Sequence, residues 1–196
     1  MHLKGKEAMR IARKDKEQRL LNLFDRGEAT AMDELYAEYA DYLTGVCYRY
    51  IGNEDDLKDV LQEAFIKIFT QIDSFRYRGS GSLKAWMTRI VINESLMFLR
   101  GKSRINNEEL NDNLMPADED PPDTGDIDAT EIMKMVARLP DGYRAVFNLF
   151  AIEGMSHKEI AEQLGITPST SASQFYKART MLAKMIKDYR RQHGQE

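Results

Sequence analysis

Ser156-His157-Lys158-Glu159-Ile160-Ala161-Glu162-Gln163-Leu164-Gly165-Ile166-Thr167-Pro168-Ser169-Thr170-Ser171-Ala172-Ser173-Gln174-Phe175 is the stretch that decides the fold. Its first four residues have the form of a capping box, a Ser at the cap and a Glu three residues on. Ile160, Ala161 and Leu164 then form the inward stripe of a short helix, Ser156 to Leu164. Ala161 is small enough to let a second helix approach closely. Gly165 allows the positive backbone angle of a tight turn. Ile166 is expected to plug the core, and Pro168 suits the opening of a helix, where its missing donor costs little. The second helix, Ser169 to Tyr189, carries Phe175, Ala178, Leu182 and Met185 at three- and four-residue steps. Two helices so joined make a helix-turn-helix, whose second helix enters a major groove.

The start of that second helix is polar. Ser169, Thr170, Ser171, Ser173, Gln174 and Lys177 are expected to face outward, where hydroxyls and amides can meet phosphates or base edges. Arg179, Lys184, Lys187, Arg190 and Arg191 add a basic tail suited to phosphates. The plain alternative is an ordinary helical hairpin whose polar residues only cap and solvate it.

Working outward, Gly142 to Glu153 reads as a helix carrying Val146, Phe147, Leu149 and Phe150, ended by Gly154. Glu131 to Arg138 is a shorter one, stopped at Leu139-Pro140. Upstream lies a marked change. Ile105 to Glu131 holds ten acidic residues and no Lys or Arg, while the rest of the chain has 28 basic against 22 acidic residues, a net of +6. Pro116, Pro121, Pro122 and Gly125 fall in the same stretch, and prolines and like charges both oppose a helix. This segment reads as a solvated linker. Its negative charge would also suit a mimic of nucleic acid that competes for a basic groove.

The N-terminal half is helical as well. Met1 to Leu23 reads as a leading helix with a mixed-charge face. Ala31 to Tyr50 contributes Leu35, Tyr39, Leu43 and Val46, and Gly52 ends it. Asn53 is a cap for the next helix, where Leu57, Leu61, Ala64, Phe65, Ile68, Phe69 and Ile72 recur at helical steps. Ser82 to Arg100 is a further helix, with Leu83, Trp86, Ile90 and Met97 as its expected packing positions. No segment alternates in the manner of a strand. The expected fold is all-α, in two small domains of residues 1–104 and 131–196 joined by an acidic linker at 105–130.

Composition excludes several classes. A chain of 196 residues with net charge −4 is not coated uniformly in positive charge. The single cysteine, Cys47, forms no internal disulfide and is expected in the core. No apolar run approaches the roughly 20 residues of a membrane span. The charged N-terminus lacks the apolar core of a signal peptide, and the cytoplasm is the expected location. His2, His157 and His193 have no partners at metal-ligand spacings, so no metal is expected. His157 is expected to be exposed. There is no phosphate-binding Gly-Lys loop and no nucleophile elbow, so neither a cofactor nor an enzymatic activity is expected.

Three segments resemble bacterial sigma factors of RNA polymerase. Asp59-Val60-Leu61-Gln62-Glu63-Ala64-Phe65-Ile66-Lys67-Ile68-Phe69, followed by Asp73-Ser74-Phe75-Arg76, resembles their core-binding helix. Trp86-Met87-Thr88-Arg89-Ile90-Val91-Ile92-Asn93, ending at Leu99-Arg100, is similar to their helix that melts promoters and reads the −10 element. Ile152 to Ile166 is similar to their C-terminal helix-turn-helix. Two domains with only a linker between them resemble the extracytoplasmic-function group. The resemblance covers roughly residues 20–100 and 130–188.

The resemblance implies a set of sites. Asp55, Asp56, Asp59, Gln62 and Glu63 would meet core RNA polymerase at the clamp helices of its largest subunit, and a flap of the second subunit would be a further contact. Arg76, Arg78, Gly79, Ser80, Ser82, Lys84, Trp86, Arg89 and Asn93 would bind and melt the −10 element, with the Gly-Ser loop forming part of a pocket for an extruded base. Aromatic rings interleaved with basic groups suit single-stranded DNA, and base capture offsets the unstacking. Ser169, Thr170, Ser171, Ser173, Gln174, Lys177 and Arg179 would read the −35 element. Promoter DNA and an anti-sigma factor would be the other partners. Trp86 and Phe75 have a second reading as core residues. The chain also departs from the family. Tyr77-Arg78 looks like an insertion, Met97 stands where an Asp is common, and Ala172 and Gln174 stand where many members have Arg.

Overall fold

The computed structural model describes residues 16–101 and 127–193. These residues are helical, without a strand among them. Helix α1 runs through residues 16–25, α2 through Ala31–Tyr48, α3 through Glu54–Gln71 and α4 through Ser82–Gly101. A turn of 3₁₀-helix, Ile72–Ser74, follows α3. Then come α5 (Ala129–Ala137), α6 (Asp141–Phe147), α7 (His157–Leu164) and α8 (Pro168–Gln192). Backbone contacts gather the chain into two units. One takes in the described residues up to Cys47 together with Leu57–Glu94. The other takes in Tyr48–Asp56 and the described residues from Ser95 onward.

In the first unit each helix hides one stripe. Leu20 of α1, Leu35 and Leu43 of α2, Val60, Ala64 and Ile68 of α3, and Leu83, Met87 and Val91 of α4 are buried. Cys47 is buried too. Asn53 starts α3 as expected, its Oδ1 accepting from Asp55 N at 3.0 Å and Asp56 N at 3.1 Å. Lys16–Glu38 and Arg19–Glu34 ion pairs tie α1 to α2. Lys67 of α3 and Glu94 of α4 pair at 2.7 Å. One packing expectation fails. Met97 is 50% exposed, because the buried stripe of α4 continues through Ser95, Leu96 and Leu99 and turns Met97 outward.

In the second unit, Ile127, Met135, Val136, Leu139, Ala178, Leu182 and Ile186 form one apolar cluster. Ile127 is an informative member, because the linker was expected to reach residue 130. Instead Asp128 caps α5, its carboxylate accepting from Thr130 N at 2.8 Å, and the residue before the cap is drawn into the core. The rest of the expected linker, residues 105–126, lies outside the described residues. Arg144 is 3% exposed, and its guanidinium closes the turn between α5 and α6. It donates to Ala137 O at 3.0 Å and Leu139 O at 2.9 Å, and pairs with Asp141 at 2.6 Å. The expected single helix from Gly142 to Glu153 is two pieces. After α6 the chain widens into a π-helical turn, Asn148–Ile152, in which Glu153 N donates to Asn148 O, five residues back.

Candidate functional site

The helix-turn-helix has the local chemistry its residues predict. Ser156 Oγ accepts from Glu159 N at 3.3 Å, and Ser156 N donates to Glu159 Oε2 at 2.8 Å. The Ser156 hydroxyl, 2.7 Å from Glu159 Oε2, and the Ser156 N–H on the same oxygen hold the Glu159 carboxyl below the usual carboxylate range. Gly165 has φ 70 and closes α7, with Ile166 half-buried after it. Thr167 caps α8 and Pro168 occupies its first position. Ile160, Ala161 and Leu164 are buried, and α7 packs on α8.

The outward face of α8 is narrower than expected. Ser171 is fully buried and Gln174 is 3% exposed, so neither points to solvent. Ser171 Oγ lies 3.0 Å from His157 Nδ1, and Gln174 lies over Gly142, where an added Cβ would sit 3.4 Å from its Nε2. Both fall on the side of α8 that packs on α6 and α7, Gln174 one helical turn and Ser171 two turns before Ala178. Thr170 is engaged in the cap, its Oγ1 2.8 Å from Thr167 Oγ1. The face that remains carries Ser169, Ser173 and Lys177 at four-residue steps, with Ala172, Tyr176 and Arg179 beside them. Tyr176, half-buried, belongs to this face by its angle around the helix.

His157 is half-buried rather than exposed. Its ring stacks on Phe150 at 4.5 Å between centroids, and Phe150 meets Phe175 at 4.4 Å. Burial lowers the imidazole below the ordinary histidine value. The unfolded ring therefore binds its proton at higher pH than the folded ring. The stability this contributes is complete above the unfolded value, about 6.5, and is lost as pH falls through the folded one. A ring titration by NMR should give His157 a pKa below that of a free peptide, and a value at or above it would remove this effect.

On the first unit, the loop from Phe75 to Gly81 leads into α4. Phe75 and Trp86 are both half-buried, with ring centroids 5.2 Å apart, so Trp86 is partly a packing residue. Arg76, Arg78 and Ser80 are exposed. Gly79 and Gly81 have φ 118 and 90, and nothing lies within 4 Å of a Cβ placed on either. Ser82 Oγ accepts from Arg78 N at 3.2 Å. Arg89 and Asn93 are exposed and one turn apart on α4, in line with Ala85 and Met97. Lys84 is turned elsewhere. Its ammonium lies 3.5 Å from the Tyr42 ring centroid on α2, a cation–π contact, and Thr88 Oγ1 is 3.2 Å from Tyr42 Oη.

Two features of this unit escaped the sequence reading. The first is Glu17 on α1, only 4% exposed. Its carboxylate accepts from the backbone of Gly81 at 3.0 Å, Leu83 at 3.4 Å and Lys84 at 3.5 Å. No local signal marks it, since its partners lie 64 to 67 residues away. The second is a groove of about 450 Å³ between α2 and α3, lined by Tyr36, Leu61, Phe65, Ile66 and Phe69 among others. Tyr36 and Ile66 are 54% and 48% exposed at its edge. Gln62 is part of its lining, and Asp59 and Glu63 beside it are exposed one turn apart on α3; in the first turn of the helix Asp55 is exposed and Asp56 half-exposed.

Comparison with known proteins places both halves. Residues 35–105 match the sigma-70 region 2 family, and residues 129–182 match sigma-70 region 4. The chain is 30% identical to the ECF RNA polymerase sigma factor SigE of Mycolicibacterium smegmatis, over 88% of this chain and 66% of that protein. It is 29% identical to SigW of Bacillus subtilis, over 83% of this chain and 92% of that one. It is 27% identical to the sigma-E factor of Haemophilus influenzae, over 87% and 95%. Among solved structures it is similar to the sigma factor RpoE of Bartonella quintana in complex with the anti-sigma factor NepR. That match has 23% identity and a TM-score of 0.44, and covers 81% of this chain and 98% of the other. With regions 2 and 4 both present and in this order, and with relatives of this kind along most of its length, the protein belongs to the extracytoplasmic-function group of sigma-70 factors.

Proposed function

We infer that the protein binds core RNA polymerase and directs initiation at promoters whose −35 and −10 elements it reads. The observation that carries the residue assignment is the exposed face of α3. An acidic pair, Asp59 and Glu63, borders a groove lined mainly by apolar residues, with Gln62 in its lining and Tyr36 and Ile66 at its rim. An apolar centre with a charged edge is the anatomy of a protein-binding surface. This face is assigned to the clamp helices of the polymerase. The exposed residues of the 76–82 loop, with Trp86, Arg89 and Asn93, are assigned to the −10 element. Ser169, Ser173, Tyr176, Lys177 and Arg179 are assigned to the −35 element.

Two weak DNA contacts held on one polymerase act through effective concentration. This reading makes the chain an initiation factor without a catalytic step of its own, working where the polymerase works, in the cytoplasm. No helix among the described residues is long and apolar enough to cross a membrane. An anti-sigma factor is the expected inhibitor, and the α3 face is the surface it would have to cover.

The test is co-elution of the full chain with sigma-free bacterial core RNA polymerase on gel filtration. A stoichiometric complex is expected. A folded chain that does not co-elute, but footprints duplex DNA as a dimer, would instead be a conventional helix-turn-helix regulator.

A further inference from the structure

The first turn of an α-helix presents backbone N–H groups without partners inside the helix. At α4 the residue in the capping position is Gly81, which has no side chain to offer them. Its φ of 90 disfavours any other L-residue, so the curvature of the loop and a local cap exclude each other. The donors are met instead by Glu17. Its Oε2 takes Gly81 N and Leu83 N, and its Oε1 takes Lys84 N. Among the described residues no Lys or Arg pairs with this carboxylate. A buried anion is costly unless it is paired or hydrogen-bonded, and among the described residues the partners of this carboxylate all belong to the loop and the first turn of α4. The helix dipole adds to the attraction.

We propose that Glu17 is a positioning residue for −10 readout. It grips the exit of the loop and the backbone from which Lys84 and Trp86 project, and so fixes where that loop stands on the domain. Three constraints then shape one short segment: the Glu17 carboxylate, the Ser82 hydroxyl on Arg78 N, and the Phe75–Trp86 contact. The inference rests on the assignment of this loop to the −10 element.

The test uses holoenzyme made from the full chain and bacterial core polymerase. Duplex DNA with a random upstream region is first selected by the wild-type holoenzyme. The recovered promoter is then randomised over its −10 segment alone, and each variant is scored by the bases it enriches. Glu17→Gln keeps the shape of the side chain but turns an amide toward backbone donors. It is expected to assemble with core and keep its −35 preference, while its discrimination at the −10 falls about five-fold, as loss of a helix cap of roughly 1 kcal/mol implies. Glu17→Asp keeps the charge on a shorter stem and is expected to retain part of the discrimination.

An unchanged −10 profile in Glu17→Gln overturns the proposal. So does equal loss of core binding, −35 preference and −10 preference in both variants, which would mark Glu17 as merely structural. Failure of the underlying assignment looks different. A wild-type holoenzyme with no −10 preference, or an Arg89→Ala/Asn93→Ala chain that keeps it in full, removes the −10 reading itself and this inference with it. If the wild type is selective and Arg89→Ala/Asn93→Ala is not, an unaltered Glu17→Gln profile counts against Glu17 alone.

Discussion

A chain carrying Asp59→Ala and Glu63→Ala together is expected to bind core RNA polymerase about ten- to hundred-fold more weakly, at roughly 1 kcal/mol or more for each interfacial carboxylate. The two residues are one turn apart on the exposed side of α3, beside the groove rimmed by Tyr36 and Ile66. Among the described residues neither makes an ion pair, so their removal leaves no buried partner behind. Surface substitutions of this kind change stability by about 0.5 kcal/mol or less. The loss should therefore appear in a competition assay against labelled wild-type chain, with an unaltered thermal midpoint. An unchanged affinity would assign the polymerase contact to another face. The effect should also weaken with added salt in the wild type more than in the variant, since exposed charges are screened.

Leu182→Ala is the second large effect, and it acts on folding. Leu182 is 4% exposed and belongs to the cluster of Ile127, Met135, Val136, Leu139, Ala178 and Ile186. Truncating a buried leucine costs about 2–5 kcal/mol, the spread reflecting how far the site collapses. A folded unit of this size has only about 5–10 kcal/mol in all. Helix α8 carries both the core stripe and the face assigned to DNA, so loosening one releases the other. The unfolding midpoint should fall steeply, and activity at a promoter that depends on its −35 element should fall with it. Binding to core through α3 should persist. A variant with a wild-type midpoint would mean that α8 is held by other contacts.

The helices were legible because their signals are local. Asn53, Ser156 and Gly165 stand where the backbone needs a cap or a positive angle, and each performs that role. The helix-turn-helix was legible for the same reason. Fine orientation was not. Ser171 and Gln174 look outward by chemistry, but they lie two turns and one turn before Ala178 on the packed side of α8. Polar type is a poor guide to direction when one end of a helix must pack against two others. Met97 failed in the opposite sense, an apolar residue left outside because Ser95, Leu96 and Leu99 already fill the inner side of α4. The π-helical turn after α6 had no signature in the residues that form it. Glu17 could not be read at all, since its meaning depends on a backbone brought to it by the fold.

The loop before α4 is restricted by handedness rather than by room. Gly79 and Gly81 stand at φ 118 and 90 with open space around each. An L-alanine at either position would cost about 1–3 kcal/mol in backbone strain. The same angles are relaxed for a residue of the opposite chirality. A D-alanine, joined in by ligation of a synthetic segment, would keep the curvature and remove freedom that glycine retains in the unfolded chain. The Gly79 and Gly81 positions thus prefer a mirror-image residue.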